Sequence, residues 1–405
     1  MSSVKDAGGG AGPSLQPRIE LITSILATSY TFEQGAREVV DNALQSVVLR
    51  SYEAYCAELR TTTKALYEAL FHLHGLRSMD EHEVDKMAEC ALNKLLAPMR
   101  GGLPAAVETN DLDTVLNCEG LPLPGALFRE ARPRRDTHSL RPFWERARAL
   151  AQLVQSRKCP GPERPTVRIV YDLSAHVFEV WDNGSGVEPD KLVAMLQVGS
   201  TGHGSMERVG KGGRSYNTHG HLCAGQISAY GQGLKGGLAS LTRMQDEGSG
   251  SVSVRSMPQG RDMFCIGFDL AEAIKVQQAA EANGQPSDHW RAFELPSRTE
   301  LDDSEKARTA DPEWGARVTR VIIRRVNAEY CAALAADPAA RKRLASYFQD
   351  AYLSLMHGGL FSPITEPLQS LRMELHFKGE SVDDSFDLHA MREAAPGLPP
   401  LPCRL

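Results

Sequence analysis

The sequence predicts an α+β protein, a two-layer sandwich of helices on a mixed, largely antiparallel sheet. Three observations predict it. Ala36, Val39, Val40, Ala43 and Val47 recur at helical spacing, which marks one buried helix face. The runs TVRIVYDL and VFEVWDNG are β-rich and separated only by Ser174-Ala175-His176, a hairpin signal. Helices alternate with strands along the chain, but strands often adjoin, which disfavours a doubly wound parallel sheet.

Each element follows from its own residues. Residues 1–16 are small, Gly-rich and polar, and are expected to be disordered. From about Pro17 to Leu73 the chain reads as mostly helical. Residues 47–164 read as a helical insertion with a loop-like centre, GGLPAAVETNDLDTVLNCEGLPLPG. After the hairpin of residues 166–184, PDKLVAMLQV is expected to be a helix with Pro189 near its start. SGSVSVRSM, DMFCIGFDL and ARVTRVIIRRV read as strands, with 275–312 between them as a polar loop or linker. DPAARKRLASYFQDAYLSLMHG is a helix with Asp337 as its N-cap, and LRMELHFKG is a late strand.

Composition narrows the class without naming a chemistry. Lys+Arg is 45 against Asp+Glu 51, a net charge of −6, which argues against nucleic-acid binding by bulk charge. A basic and aromatic stretch in the insertion, Arg129 to Arg148 with Phe143 and Trp144, is a local exception. No run approaches 18 apolar residues, so no membrane span is expected. The eight cysteines are scattered without a C-x-x-C pair, which reads as reduced intracellular thiols. His203, His219, His221 and Cys223 lack zinc-ligand spacing.

Three constellations carry chemistry. On the first helix, Glu38 and Asn42 share a face with Gln45, opposite the apolar stripe. A carboxylate there can deprotonate a water, and an amide oxygen one turn on can ligate Mg2+. A solvated polar face would show the same spacing. The second is Asp182-Asn183-Gly184-Ser185-Gly186 at the end of a strand. Its carboxylate can accept from an exocyclic amine, while Gly184 and Gly186 permit a tight turn and close approach. An ordinary hairpin turn is the competing reading. The third is the glycine-rich stretch from Gly199 to Gly237, ending Tyr230-Gly231-Gln232-Gly233-Leu234-Lys235-Gly236 before a helix-compatible segment. Glycines opening a helix expose N–H groups to a phosphate, and Lys235 would add a point charge. It is not a Walker A loop, and a flexible glycine-rich loop is the plain alternative.

The order of the three resembles the GHKL superfamily, which contains gyrase, the large heat-shock chaperone, histidine kinases, MutL and the MORC proteins. REVVDNALQS, DKLVAMLQVGSTGH and AYGQGLKGG look like MORC segments. VTRVIIRRVNAEYCAALAADPAARKRLASYFQDAYLSLMHGG is similar to the structural-maintenance-of-chromosomes flexible-hinge-domain-containing proteins. The resemblance implies a Bergerat-type sandwich. Its ATP-binding domain would comprise 17–46 and 165–360, with 361–405 starting a transducer-like domain or a C-terminal extension. Glu38 would be the general base and Asn42 the Mg2+ ligand. Asp182 would bind the adenine amine, with Gly184 and Gly186 beside the base. Gly231, Gly233 and Lys235 would hold the phosphates, and a lid over 199–230 would close on ATP.

The resemblance further implies an ATPase with ATP and Mg2+ as its ligands. It also implies a homodimer in the nucleotide-bound state, a nuclear location and work in chromosome organisation or gene silencing, with chromatin proteins or DNA as partners. A nucleotide-binding interaction module without turnover is the alternative. A MutL-like repair ATPase is another, although the G-F-R-G-E-A-L element is missing. Gly315-Ala316 stands where the family often has Gly-Thr behind the adenine, which makes Thr319 the substitute candidate.

Overall fold

The computed structural model describes residues 31–73, five positions between 145 and 153, 164–189, Leu192, 233–242, 250–258, 260–283, 296–357 and 371–393. Among these residues, seven helices pack on an open eight-stranded sheet. The elements are α1 (Phe32–Leu73), β1 (Thr166–Asp172), β2 (Val177–Asp182), α2 (Gly233–Thr242), β3 (Ser251–Met257), β4 (Met263–Asp269) and α3 (Leu270–Ala282). Then follow β5 (Ser297–Thr299), α4 (Asp303–Thr309), β6 (Val318–Arg324), α5 (Ala328–Ala336), α6 (Pro338–His357), β7 (Arg372–Lys378), β8 (Asp383–Asp387) and α7 (Ala390–Glu393).

The strand order is β5-β4-β3-β6-β2-β1-β7-β8. Every described pairing is antiparallel except β1 with β7. The α+β sandwich with a mixed, largely antiparallel sheet is therefore what the chain forms. Residues after 361 contribute β7 and β8 to the same sheet.

Alternation along the strands separates the two faces. Val167, Ile169, Tyr171, Phe178, Val180, Val252, Val254, Ile266, Val321, Ile323, Met373, Leu375 and Phe377 face the helices and form one core. The predicted stripe of α1 completes it, since Ala36, Val39, Val40, Ala43 and Val47 are all buried. α1 runs on without a break through residue 46 to Leu73. There Arg146 Nη1 donates to the Ala65 carbonyl at 2.9 Å.

The opposite face carries charge as well as apolar cover. Arg255, Arg320, Trp181, Arg168 and Glu374 are successive cross-strand neighbours. Arg320 lies over the Trp181 ring at 4.2 Å and pairs with Glu179 at 2.7 Å and Asp302 at 2.6 Å. Arg255 pairs with the fully buried Glu305 at 2.6 Å.

Two expectations change. The stretch 275–312 is not a long loop, because α3, β5 and α4 occupy much of it. Asp302 and Glu305 close a capping box that starts α4, and Glu305 is fixed further by Arg255. Asp337 also serves both sides, as C-cap of α5 and as acceptor from Ala339 N at 2.8 Å in α6. The lid 199–230, the His203/His219/His221/Cys223 group and most of the basic stretch lie outside the described residues, as does most of the helix expected after Pro189.

Candidate functional site

The candidate site is built on α1. Glu38 and Asn42 are one turn apart and half-buried, on the side of the helix away from its apolar stripe. Asn42 Nδ2 donates to the Glu38 carbonyl at 3.1 Å, so the amide oxygen is the atom suited to a cation. Burial pushes the Glu38 carboxyl above its usual range, against the lowering effect of Arg37. A carboxylate shifted toward neutrality is a better base at physiological pH.

Asp41, between them, turns to α6. Its carboxyl accepts from the Tyr352 hydroxyl of α6 at 2.7 Å and lies 3.8 Å from Arg37. Burial raises it to about 6, with Tyr352 and Arg37 opposing. Asp41 therefore ties the site helix to α6.

One turn beyond Asn42, α1 meets the end of β2. The Ser185 amide donates to the Ser46 carbonyl at 3.4 Å, and Arg50 Nη1 donates to the Asn183 carbonyl. A Cβ on Gly184 would stand 2.1 Å from Ser46 Oγ and 2.6 Å from the Ser46 carbonyl carbon, so only glycine allows the helix this close. Gly186 has φ +74, and a Cβ there would meet Pro258 Cα at 2.8 Å. The close approach at Gly184 is to α1, where the sequence alone suggested a ligand.

Asn183, to which the motif gave no role, secures the turn from the β1 side. Its side chain accepts from Thr166 N at 2.9 Å and donates to the carbonyls of Arg164 at 2.8 Å and Trp314 at 2.9 Å. Asp182 thus sits on a rigid support, 2 % exposed, and accepts from Gly184 N at 2.9 Å. Burial drives its carboxyl up to about 7; the Gly184 amide, Ser46 and Arg50 oppose this. The Ser46 hydroxyl lies by this carboxyl without making a hydrogen bond of normal geometry, and Gln45 Oε1 is also buried without a partner among the described residues.

Asp182 stands opposite Thr319 across β2 and β6, and Thr319 stands opposite Ser256 across β6 and β3. Directly opposed residues share a face, so Thr319 lies on the side of Asp182. The two hydroxyls are 3.1 Å apart, and Ser256 Oγ accepts from Val187 N at 2.8 Å. A buried row of hydroxyl, hydroxyl and carboxylate closes this end of the sheet. Ser256 carried no motif, and only strand register exposes it.

The third constellation is placed in part. Gly231 lies outside the described residues, Gly233 is the first residue of α2, and Lys235 is the third. α2 is held hard against α1. A Cβ on Gly35 would be 1.7 Å from Ser240 Oγ, and one on Gly237 would be 2.5 Å from Val39 Cγ2. α2 therefore packs through Gly237 and Ser240 on the Gly35–Val39 turn of α1, while Asp182 lies at the Ser46 end. From Glu38 to Ser46 is about 12 Å of helix at roughly 1.5 Å per residue.

A nucleobase fits the Asp182 end. A nearly fully buried carboxyl pushed up to about 7, with the orphaned Ser46 hydroxyl close by, suits a ligand with a donor. For a cation, no group of three or more His, Cys, Asp or Glu gathers among the described residues. No described helix is long and apolar enough to cross a membrane.

No family model matches the chain, and no curated protein matches it. Among solved structures, the ATPase and transducer domains of DNA topoisomerase II from Balamuthia mandrillaris match at 14% identity and a TM-score of 0.23. That match covers 43% of this chain and 35% of the other. The N-terminal domain of a DNA repair protein matches at 9% identity and a TM-score of 0.27, over 55% of this chain and 46% of that one. The chain thus spans less than half the length of either structure.

Proposed function

We propose that the chain binds ATP with Mg2+ along the polar face of α1 and hydrolyses it slowly, as a GHKL-type module. One observation carries this reading. A single helix presents Glu38 and Asn42, and the same helix is stapled two turns on to the turn that presents Asp182. The spacing separates a water-activating end from a base-recognising end.

At the base end, the Asp182 carboxylate accepts from the exocyclic amine, beside the Thr319 hydroxyl. At the other end, Glu38 accepts the proton of the attacking water as its oxygen bonds to the γ-phosphorus and the bond to the leaving diphosphate breaks. Asn42 would hold Mg2+ through its amide oxygen, and the bound ion supplies charge neutralisation at the phosphates. Gly233 and Lys235, at the start of α2, would meet the terminal phosphates. The sequence likeness to MORC segments supports a role in chromosome organisation or silencing, in the nucleus, through nucleotide-gated pairing of two copies.

ATP binding and phosphate release measured on the wild type, Glu38→Ala and Asn42→Ala test this. Glu38→Ala should keep ATP binding and lose about 10²–10⁴-fold in release rate. Equal release in wild type and Glu38→Ala, with both binding ATP, leaves a switch without turnover. No binding by the wild type, with Asn42→Ala no different, overturns the nucleotide reading.

A further inference from the structure

We propose that Arg50 is a positioning residue for the base end of this site, fixing the Asp182–Gly184 turn to α1 and supplying the positive charge that faces the Asp182 carboxylate. The proposal rests on reading Asp182 as the acceptor for the base. Arg50 stands three four-residue steps beyond Glu38 on α1 and is 9 % exposed. Its guanidinium reaches across 133 residues of sequence to the carbonyl of Asn183, the residue after Asp182. A guanidinium stays charged when buried, and taking it out of water is costly unless an anion lies close.

The groups around Asp182 come from four elements. α1 brings Arg50 and the Ser46 hydroxyl, and the turn brings the Gly184 amide. β6 brings Thr319, and β1 brings Val167. Arg50 is the one charged side chain among the described residues acting on Asp182. The carboxyl titrates at about 7, where a modest change in the facing charge alters its ionised fraction most. Asn183 already holds the turn on the β1 side. Arg50 adds the α1 side, and with it the link between the Glu38 end and the base end.

The test uses the full chain with Arg50→Gln, which keeps an N–H donor but no charge, and Arg50→Met, which keeps neither. Carbon-13 NMR titration of the Asp182 carboxyl, assigned with Asp182→Asn, should show its midpoint rising by about half a unit or more in both. An unchanged midpoint in both overturns the proposal. ATP affinity of the wild type should fall as pH drops through about 7. The fall should begin at higher pH in both variants, and purine riboside triphosphate, which lacks the amine, should show none. If the wild type binds no ATP at any pH, the nucleotide reading fails while the NMR titration still decides the role of Arg50. If ATP binds and its pH profile is the same in the variants, the Arg50 proposal fails and the nucleotide reading stands. Should Arg50→Met not fold, Arg50→Lys replaces it; its retained charge should keep the midpoint near wild type, and a rise as large as that in Arg50→Gln overturns the assignment to charge.

Discussion

Asp182 shows what burying a single carboxyl does to stability. Its folded carboxyl titrates near 7 instead of the ordinary 3.8, so the folded chain binds the proton more tightly than the unfolded one. The stability it allows is greatest at low pH, declines as pH rises from about 4 to 7, and stays reduced above that. Asp182→Asn should flatten this part of the stability–pH curve and raise stability by about 1–2 kcal/mol at pH 8, while weakening ATP binding. Thermal melts between pH 5 and 8, with ATP titrations alongside, check both halves; a variant less stable than wild type at pH 8 contradicts the argument. Glu38, Asn42, Asp182 and the motif glycines were legible in the sequence because local spacing writes them. Ser256, Asn183 and Arg50 were not, because their partners come from other strands or from 133 residues away.

At the scale of elements, the α1–α2 contact depends on absent side chains. Gly237 lies 2.8 Å from the Gly35 carbonyl at the point where its Cβ would be, and Val39 presses from the other side. Backbone cannot give way as a flexible side chain does, so Gly237→Ala should destabilise by about 1–3 kcal/mol and push α2 away from α1. Denaturant unfolding measures the first effect and phosphate-release rate the second; full stability with full activity would refute the close contact. α1, the β1–β2 hairpin and the separate strands β3 and β4 were readable because their periodicity is local. The region of α3, β5 and α4 was not. Glu305, which starts α4 in a capping box, is polar in sequence yet fully buried on Arg255.

The whole molecule is held by one sheet whose edges come from distant parts of the chain. β7 pairs with β1 in parallel, and no local signal predicts that partnership. Glu374 of β7 joins Arg168 of β1, with Arg372 and His376 beside it. Burial alone would raise its carboxyl, but His376 and the two arginines outweigh burial and hold it at about 2. That stabilisation is complete above about 4.5 and is lost as pH falls toward 2. Glu374→Gln should cost about 2–3 kcal/mol at pH 7 and much less at pH 2.5, in acid-unfolding curves; an equal loss at both pH values would remove the ion pair as cause. The long interruption between α1 and its sheet has a consequence for synthesis. The apolar stripe of α1 ends at Val47 and its first strand begins at Thr166. At roughly 5–20 residues per second, the ribosome needs about 6–24 s to cross that gap. For that time the α1 stripe has no strand of its sheet to pack on, so the sheet that buries it can form only after synthesis has passed Thr166.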